Sequence, residues 1–401
     1  MRTSAFLYPW DVVGDPEAPA RVADLGVQQV TLAAAYHSTR ALTPRHPRHR
    51  IVTAEHAAVL YEPDAARWQG RDLRPYAAGS WARGDAYGEA ADALASAGLD
   101  VHTWVVLAHN SRMGADHPHT SVVNAYGDRY PWAPCIARPA TRAYLVDLAA
   151  EAAVRPGARG TELESLGWYG LAHLHAHDKI AGVPLGEAGQ YLMSLCFCAD
   201  CRQGYAGQGL DPDELAPAVR RALEPVWRGE EPAGGWAAVE KLLGADQAAA
   251  TRAWREETAR TLQEAAIAAV RAAAPDGFQV LLHADPVTYH CGANAGVDPE
   301  HILSVADGVV VPCTGGADAL TAFAPYRTAR TTLAANLTVV SGMGGNPVGL
   351  GADAERAAAL GADELRLYHA GLASDVDLAY VKKAFSGEVR ADAVHASQST
   401  A

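Results

Sequence analysis

Four stretches of the chain repeat one order of elements, a helix, then a glycine, then a β-rich run, and this order constrains the fold most. They lie at residues 23–32, 95–106, 304–311 and 359–368. Glycine ends a helix readily because it enters the left-handed conformation without steric cost. A strand that follows a helix again and again predicts βα units.

The β-rich runs can be counted along the whole chain. There are eight, at residues 4–10, 27–36, 101–108, 161–166, 278–283, 308–312, 337–341 and 365–369. Eight parallel strands with intervening helices close into a barrel, and a last helix at 375–385 would complete its outer ring. The competing fold is an open doubly wound sheet, but L-Y-P-W-D stands where that fold carries a glycine-rich turn. We therefore predict an α/β protein, a (β/α)8 TIM barrel.

Two gaps between these runs are longer than a single crossover needs. Residues 38–87 form a long loop after strand 2, and a long excursion follows strand 4. Within the second gap we predict helices at 213–227, 236–243 and 246–274, the last of them being the barrel helix. We expect residues 1–388 to form one barrel domain with an excursion at 181–245, and residues 389–401 to form a disordered tail.

Composition excludes several classes of partner. The hydrophobic share of 49% is enough for a large core, while the net charge of −13 argues against nucleic acid and anionic membrane surfaces. The first residues lack the pattern of a secretory signal, and no apolar run reaches the roughly 18 residues of a membrane span. We expect a cytoplasmic protein without nucleic-acid or membrane partners. The oligomeric state stays open, a homo-oligomer included.

Acids, aromatic residues and histidines gather within residues 160–179. Glu162 and Glu164 share one face of a predicted strand because side chains alternate with period two. The residues that follow are Trp168, Tyr169, His173, His175 and His177. A sugar site needs a proton donor, a stacking surface and hydrogen-bonding groups, and this stretch offers all of them. The alternative is that Glu162 is a paired acid of the barrel interior and the histidines belong to a solvated loop.

The active site of such a barrel lies at the carboxyl ends of its strands. Glycosidic bonds are cleaved by two carboxyl groups, one protonated and one ionised. We predict Glu164 and Asp285 as this catalytic pair, with Asp11 in reserve; a loop cap before Pro286 is the alternative for Asp285. The predicted substrate contacts are Trp10, Asp11, Tyr36, His37, His109, Asn110, Glu162, Trp168, Tyr169, His173, His283, Tyr368 and His369.

Three cysteines, Cys196, Cys198 and Cys201, form a tight C-x-C-x-x-C pattern. Thiolates at this spacing are typical of tetrahedral zinc, and Cys135 is the candidate for the fourth ligand. Four cysteine ligands leave no open position, so the zinc would be structural. A metal-free thiol cluster is the alternative. We predict no organic cofactor.

Two motifs carry a resemblance to a known family. W-x-P-C-x-x-x-P-x-x-R-A-Y follows the third strand, and C-F-C-x-x-C-x-x-x-Y follows the fourth-strand acid. Across residues 101–205 the chain resembles the glycoside-hydrolase-like barrels related to family 42 β-galactosidases. The resemblance implies glycosidase ancestry and zinc bound by the four cysteines. That clan has Asn before the fourth-strand Glu and a second Glu ending the seventh strand, whereas Leu163 and Ser341-Gly342-Met343 stand here.

These departures leave two interpretations of the second carboxylate: either it has moved to another strand, with Asp285 the best candidate, or the protein is not a retaining β-glycosidase. We predict a glycoside hydrolase that acts on a small glycoside or oligosaccharide. One alternative is a metal-dependent sugar isomerase or epimerase, and another is a barrel that binds sugar without turnover. The groups that would hold the isomerase metal are His37, His109, Glu164, His283, Asp285 and His369.

Overall fold

Eight parallel strands close into a barrel in the computed structural model, which describes residues 1–173 and 178–385. The strands are β1 (Arg2–Leu7), β2 (Gln29–Tyr36), β3 (Asp100–Val106), β4 (Gly160–Glu164), β5 (Gln279–Asp285), β6 (Gly308–Pro312), β7 (Thr332–Thr338) and β8 (Glu364–Tyr368). Each pairs with the next in chain order, and β1 pairs with both β2 and β8. The predicted (β/α)8 barrel is confirmed. His175, His177 and the tail predicted at 389–401 lie outside the described residues.

Helices surround the barrel, one after each strand. Within the described residues they are α1 (Ala18–Ala23), α2 (Ala86–Ser96), α3 (Pro139–Ala153), α4 (Ala245–Ala273), α5 (Pro299–Val305), α6 (Leu320–Phe323), α7 (Leu350–Ala359) and α8 (Asp375–Phe385). Between β4 and α4 the chain forms four more helices, Gly186–Met193, Ala199–Gly207, Pro212–Trp227 and Trp236–Leu243. The helix Ser111–Asp116 follows β3. None of the described helices is both long enough and apolar enough to cross a membrane.

Short strands and single helical turns lie in the segments that connect the barrel strands and helices. Thr39–Leu42 and Ile51–Ala54 pair as an antiparallel hairpin after β2, and Ser121–Val123 pairs with Arg129–Pro134 after β3. The two-residue strand Ala58–Val59 pairs antiparallel with the end of β2, and Ala295–Gly296 pairs with β5. Single turns of 3-10 helix lie at Pro9–Asp11, Pro118–Thr120, Ala324–Tyr326, Ser341–Met343 and Ala370–Leu372.

The first and seventh strands both end three residues earlier than their sequence pattern indicates. We predicted the first strand at 4–10, but β1 stops at Leu7 because Pro9, which has no N–H for a ladder, opens a 3-10 helix. We predicted the seventh at 337–341, but β7 is Thr332–Thr338 and residues 341–343 form a helical turn. The first part of this strand was missed because its threonines and Asn336 are polar. Its Leu333 and Leu337 are nevertheless buried in the core.

A buried ion-pair network fills one layer of the barrel interior; we call Thr31, Glu162, His283, Glu364 and Arg366 the ionic layer. The Glu162 carboxylate accepts from Arg366 Nε at 2.6 Å and from Thr31 Oγ1 at 3.0 Å, and His283 Nε2 lies 3.5 Å from it. Arg366 also donates to Glu364 at 2.9 Å. Burial would raise the pKa of Glu162, but the charges of Arg366 and His283 lower it to about 2.

Candidate active site

A cavity of about 520 Å³ opens at the carboxyl ends of the strands, where a barrel of this type places its active site. This volume is in the usual range for small-molecule sites. We call its deep, hydrogen-bonding part the polar floor, which consists of Tyr8, Tyr36, His37, His109, Glu164, Ser165, Tyr368 and His369. Of the described residues that line the cavity, Glu164 alone carries a carboxyl group.

Glu164 is the last residue of β4, and only 6% of it is exposed. Because the side chains of a strand alternate, it points to the same inner face as Glu162, one pleat further out. Trp104 Nε1 donates to Glu164 Oε2 at 2.6 Å. Burial raises the pKa of Glu164, and neither the positive charge of His283 nor the bond from Trp104 offsets the rise. A carboxyl group that holds its proton above the usual range can act as a general acid.

The backbone turns sharply directly after Glu164. Ser165 has φ +57°, the one left-handed conformation outside glycine in the described chain, which ends the strand before the Leu166 that we predicted. Its amide donates to the Ala293 carbonyl at 2.8 Å, and its carbonyl accepts from the Ala108 amide at 3.0 Å. The turn is therefore tied to the loops after both neighbouring strands. Backbone strain of this kind is common where a functional side chain must be aimed.

Three phenols surround the acid. The hydroxyls of Tyr8 and Tyr368 both interact with that of Tyr36, and the three residues come from β1, β2 and β8 or the residue just after. Burial raises the pKa of each phenol well above its usual value, so all three are neutral at physiological pH. Neutral hydroxyls both donate and accept hydrogen bonds, as recognition of sugar hydroxyls requires.

Two imidazoles that line the cavity have a lowered pKa. Burial lowers the pKa of His369 to about 3, with the charge of His37 as a second cause. Its ring stacks on Tyr8 with centroids 5.4 Å apart. Burial likewise lowers the pKa of His173, which lies at the edge of the cavity beside Tyr169. The cavity thus combines three neutral phenols and the neutral imidazole of His369 with one acid.

The structure brings eight of the predicted site residues together around this cavity. They are Tyr36, His37, His109, Glu164, Tyr169, His173, Tyr368 and His369. Their roles as substrate contacts stay predictions, but their convergence follows from barrel closure. Each except Tyr169 and His173 ends a strand or comes within three residues of its end.

Three predicted residues lie beside the cavity and not on its surface. Trp10 stacks under Tyr8, with ring centroids 4.5 Å apart. Asp11 is half-buried and accepts from the Tyr8 amide at 2.8 Å, and its surroundings, which desolvate the carboxyl group, raise its pKa to about 7 against the opposing bond from Tyr8 and the charge of Arg45. Asn110 caps the helix Ser111–Asp116 by accepting from the Met113 amide at 2.9 Å. The early end of β1 explains why Tyr8, and not Trp10, faces the cavity.

The other predicted residues outside the lining have partners of their own. Trp168 is buried and donates to the Arg255 carbonyl at 2.9 Å. Glu162 and His283 belong to the ionic layer, one level below the polar floor. Asp285 accepts from the Val287 amide at 2.8 Å and lies 2.9 Å from His290 Nδ1. Its catalytic role stays a prediction, while its observed contacts are those of a loop cap.

Several lining residues were not predicted from the sequence. Tyr8 was counted within the first strand, and Ser165 within the fourth. The hairpin strand Thr39–Leu42 contributes all four of its residues to the cavity wall. Pro9 was a usable signal for Tyr8, because proline seldom continues a central strand. Nothing in the sequence pattern of residues 38–87 indicates which part reaches the mouth.

The four cysteines form a buried cluster between the loop after β3 and the excursion. Cys135, Cys196, Cys198 and Cys201 place their sulfur atoms within 4.8 Å of one another. Cys135 Sγ lies 3.6 Å from the sulfurs of both Cys198 and Cys201, close to the ~3.8 Å expected of thiolates bound tetrahedrally at 2.3 Å. The amides of Val123 and Cys198 both point at Cys196 Sγ, at 3.5 Å. Such N–H donors stabilise metal-bound thiolates, so the cluster could bind a metal.

The isomerase alternative requires a second metal site at the mouth. Throughout the described ranges, the four cysteines are the one group of three or more ligating side chains whose atoms converge closely enough for an ion. Among the described residues, the histidines of the cavity and its one acid, Glu164, do not reach this spacing. His37 and His109, for example, have ring centroids 4.9 Å apart and lie nearly perpendicular.

Comparisons with known proteins identify the fold. No protein-family model matches the chain, and no curated protein matches it in sequence. Among solved structures, α-L-fucosidase isoenzyme 2 from Paenibacillus thiaminolyticus is similar over 96% of this chain, with 12% identity and a TM-score of 0.57. The chain spans 48% of that fucosidase.

Two further structures match nearly over their whole length. The glycoside hydrolase domain of PgaB (BpsB) from Bordetella bronchiseptica has 16% identity and a TM-score of 0.53, and 96% of this chain covers 98% of it. The catalytic domain of β-amylase from Paenibacillus polymyxa has 12% identity and a TM-score of 0.55, with the same coverages of 96% and 98%. At these identities the likeness establishes the barrel fold. The resemblance to family 42 stays a prediction.

Proposed function

We propose that this protein is a glycoside hydrolase in which Glu164 is the general acid that protonates the leaving-group oxygen. The observation that carries the proposal is a buried carboxyl group with a raised pKa at the floor of an open cavity. Three neutral phenols and the neutral imidazole of His369 lie around it, and such groups suit a substrate rich in hydroxyls. The likeness of the fold to three glycoside hydrolase structures supports the same class.

The mechanism also needs a group that activates water or attacks the sugar. Glu162 is unsuited to it, because its carboxylate is 0% exposed and is neutralised by Arg366. Asp285 ends β5, the strand beside β4, and stays our candidate for the second carboxylate. To act in this role, the Asp285 carboxylate would have to leave its contact with His290 and contact the substrate or a water molecule instead.

The proposal is tested by reducing-sugar release from a panel of natural glycosides and 4-nitrophenyl glycosides. Glu164→Gln should lower kcat/KM by about 10²–10⁴ with an unchanged circular dichroism spectrum, as the loss of a general acid does. Full activity in this variant would remove Glu164 from the mechanism.

Leaving-group dependence separates the roles of the two acids. A 2,4-dinitrophenyl glycoside of the sugar that the panel identifies has a leaving group that needs little protonation. For this substrate, kcat/KM of Glu164→Gln should be close to that of the wild type. Asp285→Asn should slow both substrates alike if Asp285 acts on water or on the sugar. Unchanged rates in Asp285→Asn would exclude it as the second carboxylate.

We further propose that the metal of the cysteine cluster is zinc, in a structural site. Four cysteine ligands occupy all four tetrahedral positions and leave none for substrate. Purified protein should contain about one equivalent of zinc, and Cys198→Ser should release it, with a lower melting temperature but an intact barrel. Cys313→Ser is the matched control, because Cys313 is buried outside the cluster and its loss should leave the metal in place. Zinc-free wild-type protein would indicate a reduced thiol cluster.

A further inference from the structure

The cavity changes character between its floor and its mouth. Beside the polar Thr39 and Arg40, its wall contains four large apolar residues, Leu42, Val340, Met343 and Leu372, which we call the apolar rim. Leu42 is 57% exposed and Met343 is 49% exposed, whereas the residues of the polar floor are buried or nearly so. Two large apolar side chains therefore stay in water at the entrance of a polar cavity.

The two exposed rim residues come from separate elements. Leu42 ends the hairpin strand Thr39–Leu42, and Met343 ends the 3-10 turn Ser341–Met343 after β7. A single exposed leucine needs no explanation, because most proteins show some. Apolar side chains from two elements that line one opening form a patch, and patches of this kind mark binding sites.

The hairpin that contains Leu42 and the loop that contains Met343 each have another exposed apolar residue, and this residue does not line the cavity. Ile51 pairs with Leu42 across the hairpin and is 53% exposed. Val348 lies in the same loop as Met343 and is 70% exposed. These two residues differ from the rim in position and not in chemistry, which makes them matched controls.

We propose that the apolar rim is an aglycone subsite that favours glycosides with an aryl aglycone. The assignment of the floor to the sugar rests on the proposed function. A sugar unit needs hydrogen-bonding partners, which the side chains of the rim do not offer. Burial of an aryl group against Leu42 and Met343 removes apolar surface on both sides from water. Arg40 lines the cavity two residues before Leu42, and its guanidinium can stack on an aromatic face.

The first experiment needs no sugar and no turnover. Free 4-methylumbelliferone, an aryl aglycone, is titrated into the full-length protein and followed by fluorescence. The double variant Leu42→Thr/Met343→Gln should weaken binding about tenfold, since both apolar contacts are lost. Ile51→Thr/Val348→Thr should change the affinity less than about twofold by the same reasoning. Equal affinities in the two double variants, or no binding to the wild type, would overturn the proposal.

The second experiment uses whichever sugar the hydrolysis panel identifies. The rim double variant should lower kcat/KM for the aryl glycoside about tenfold more than for a disaccharide of the same sugar, whereas Ile51→Thr/Val348→Thr should keep the wild-type ratio of the two values. If no glycoside is hydrolysed, the proposed function fails, while the titration still decides the rim. Should the wild type self-associate in sedimentation velocity and the rim variant not, the rim would be a contact between copies of the chain, and the aglycone assignment would be wrong.

Discussion

Glu162 and Glu164 lie two residues apart on one strand, face the same side and are both buried, yet the barrel holds them in opposite states. The charge of Arg366 lowers the pKa of Glu162 to about 2 although burial alone would raise it. Glu164 has an indole N–H as its closest partner, and burial raises its pKa. Burial of either carboxylate carries a free-energy cost for the ionised form. Whether the group stays ionised depends on whether its partner is a full countercharge or a neutral N–H.

The two layers therefore have different tasks. In the ionic layer a full countercharge satisfies the acid, which makes it part of the structure. At the polar floor the acid accepts a hydrogen bond from an uncharged indole N–H, and it opens into a cavity. The stability of the protein and its response to pH should therefore depend differently on the two acids.

The largest expected effect is on stability, from loss of the acid in the ionic layer. Glu162→Gln leaves the buried Arg366 with Glu364 as its remaining carboxylate, so the free energy of unfolding should fall by about 3–5 kcal/mol. Urea unfolding followed by circular dichroism measures it. Glu164→Gln is the control, with a change within about 1 kcal/mol, because a glutamine oxygen can still accept from Trp104. Similar losses in both variants would show that the two layers do not differ.

The second effect is the response of stability to acid. The pKa of Glu162 is lower in the folded state than in the unfolded state, so its contribution is present above about pH 4.3, the ordinary glutamate value, and is lost toward pH 2. Between pH 6 and pH 3 the wild type should lose about 2 kcal/mol more than Glu162→Gln does. Urea unfolding across this range gives the difference. Parallel curves for the two proteins would contradict the lowered pKa.

A smaller effect concerns the partner of Glu164. Trp104→Phe removes the N–H that favours the ionised carboxylate, so the pKa of Glu164 should rise further. A general acid works while protonated, and the basic limb of the pH profile of kcat/KM should move to higher pH by the same amount. Trp168→Phe is the control, because that indole donates to Arg255 and does not contact the acid. A limb that stays in place in Trp104→Phe would mean that another group sets it.

The contrast between the layers could be predicted only in part from the sequence. The alternation of residues 160–164 is enough to put both acids on one face, and the helix–glycine–strand order is enough for the barrel. The partner of Glu162 is Arg366, 204 residues away, and only barrel closure brings them together. A local pattern carries no information on such a contact, so the sequence left a paired acid of the barrel interior as only the alternative interpretation of Glu162.

The same limit applies to the mouth. Residues at strand ends such as Tyr36, His109 and His369 were predictable because topology alone brings them together. The contacts of Asp285 were not predictable, since they depend on the fold of the loop that carries His290. The part that Leu42 has in the wall depends on where a hairpin rests on the barrel, and long-range packing decides that.

The most direct test of the opposite states is a carboxyl titration by NMR on protein labelled with ¹³C at the glutamate side-chain carboxyl. In the wild type, one resonance should titrate above the ordinary range of glutamate, and it should be absent from Glu164→Gln. A second resonance, present in both proteins, should remain ionised at the lowest pH at which the protein stays folded. If the resonance lost in Glu164→Gln titrates in the ordinary range, then Glu164 has no raised pKa, and its role as general acid is contradicted.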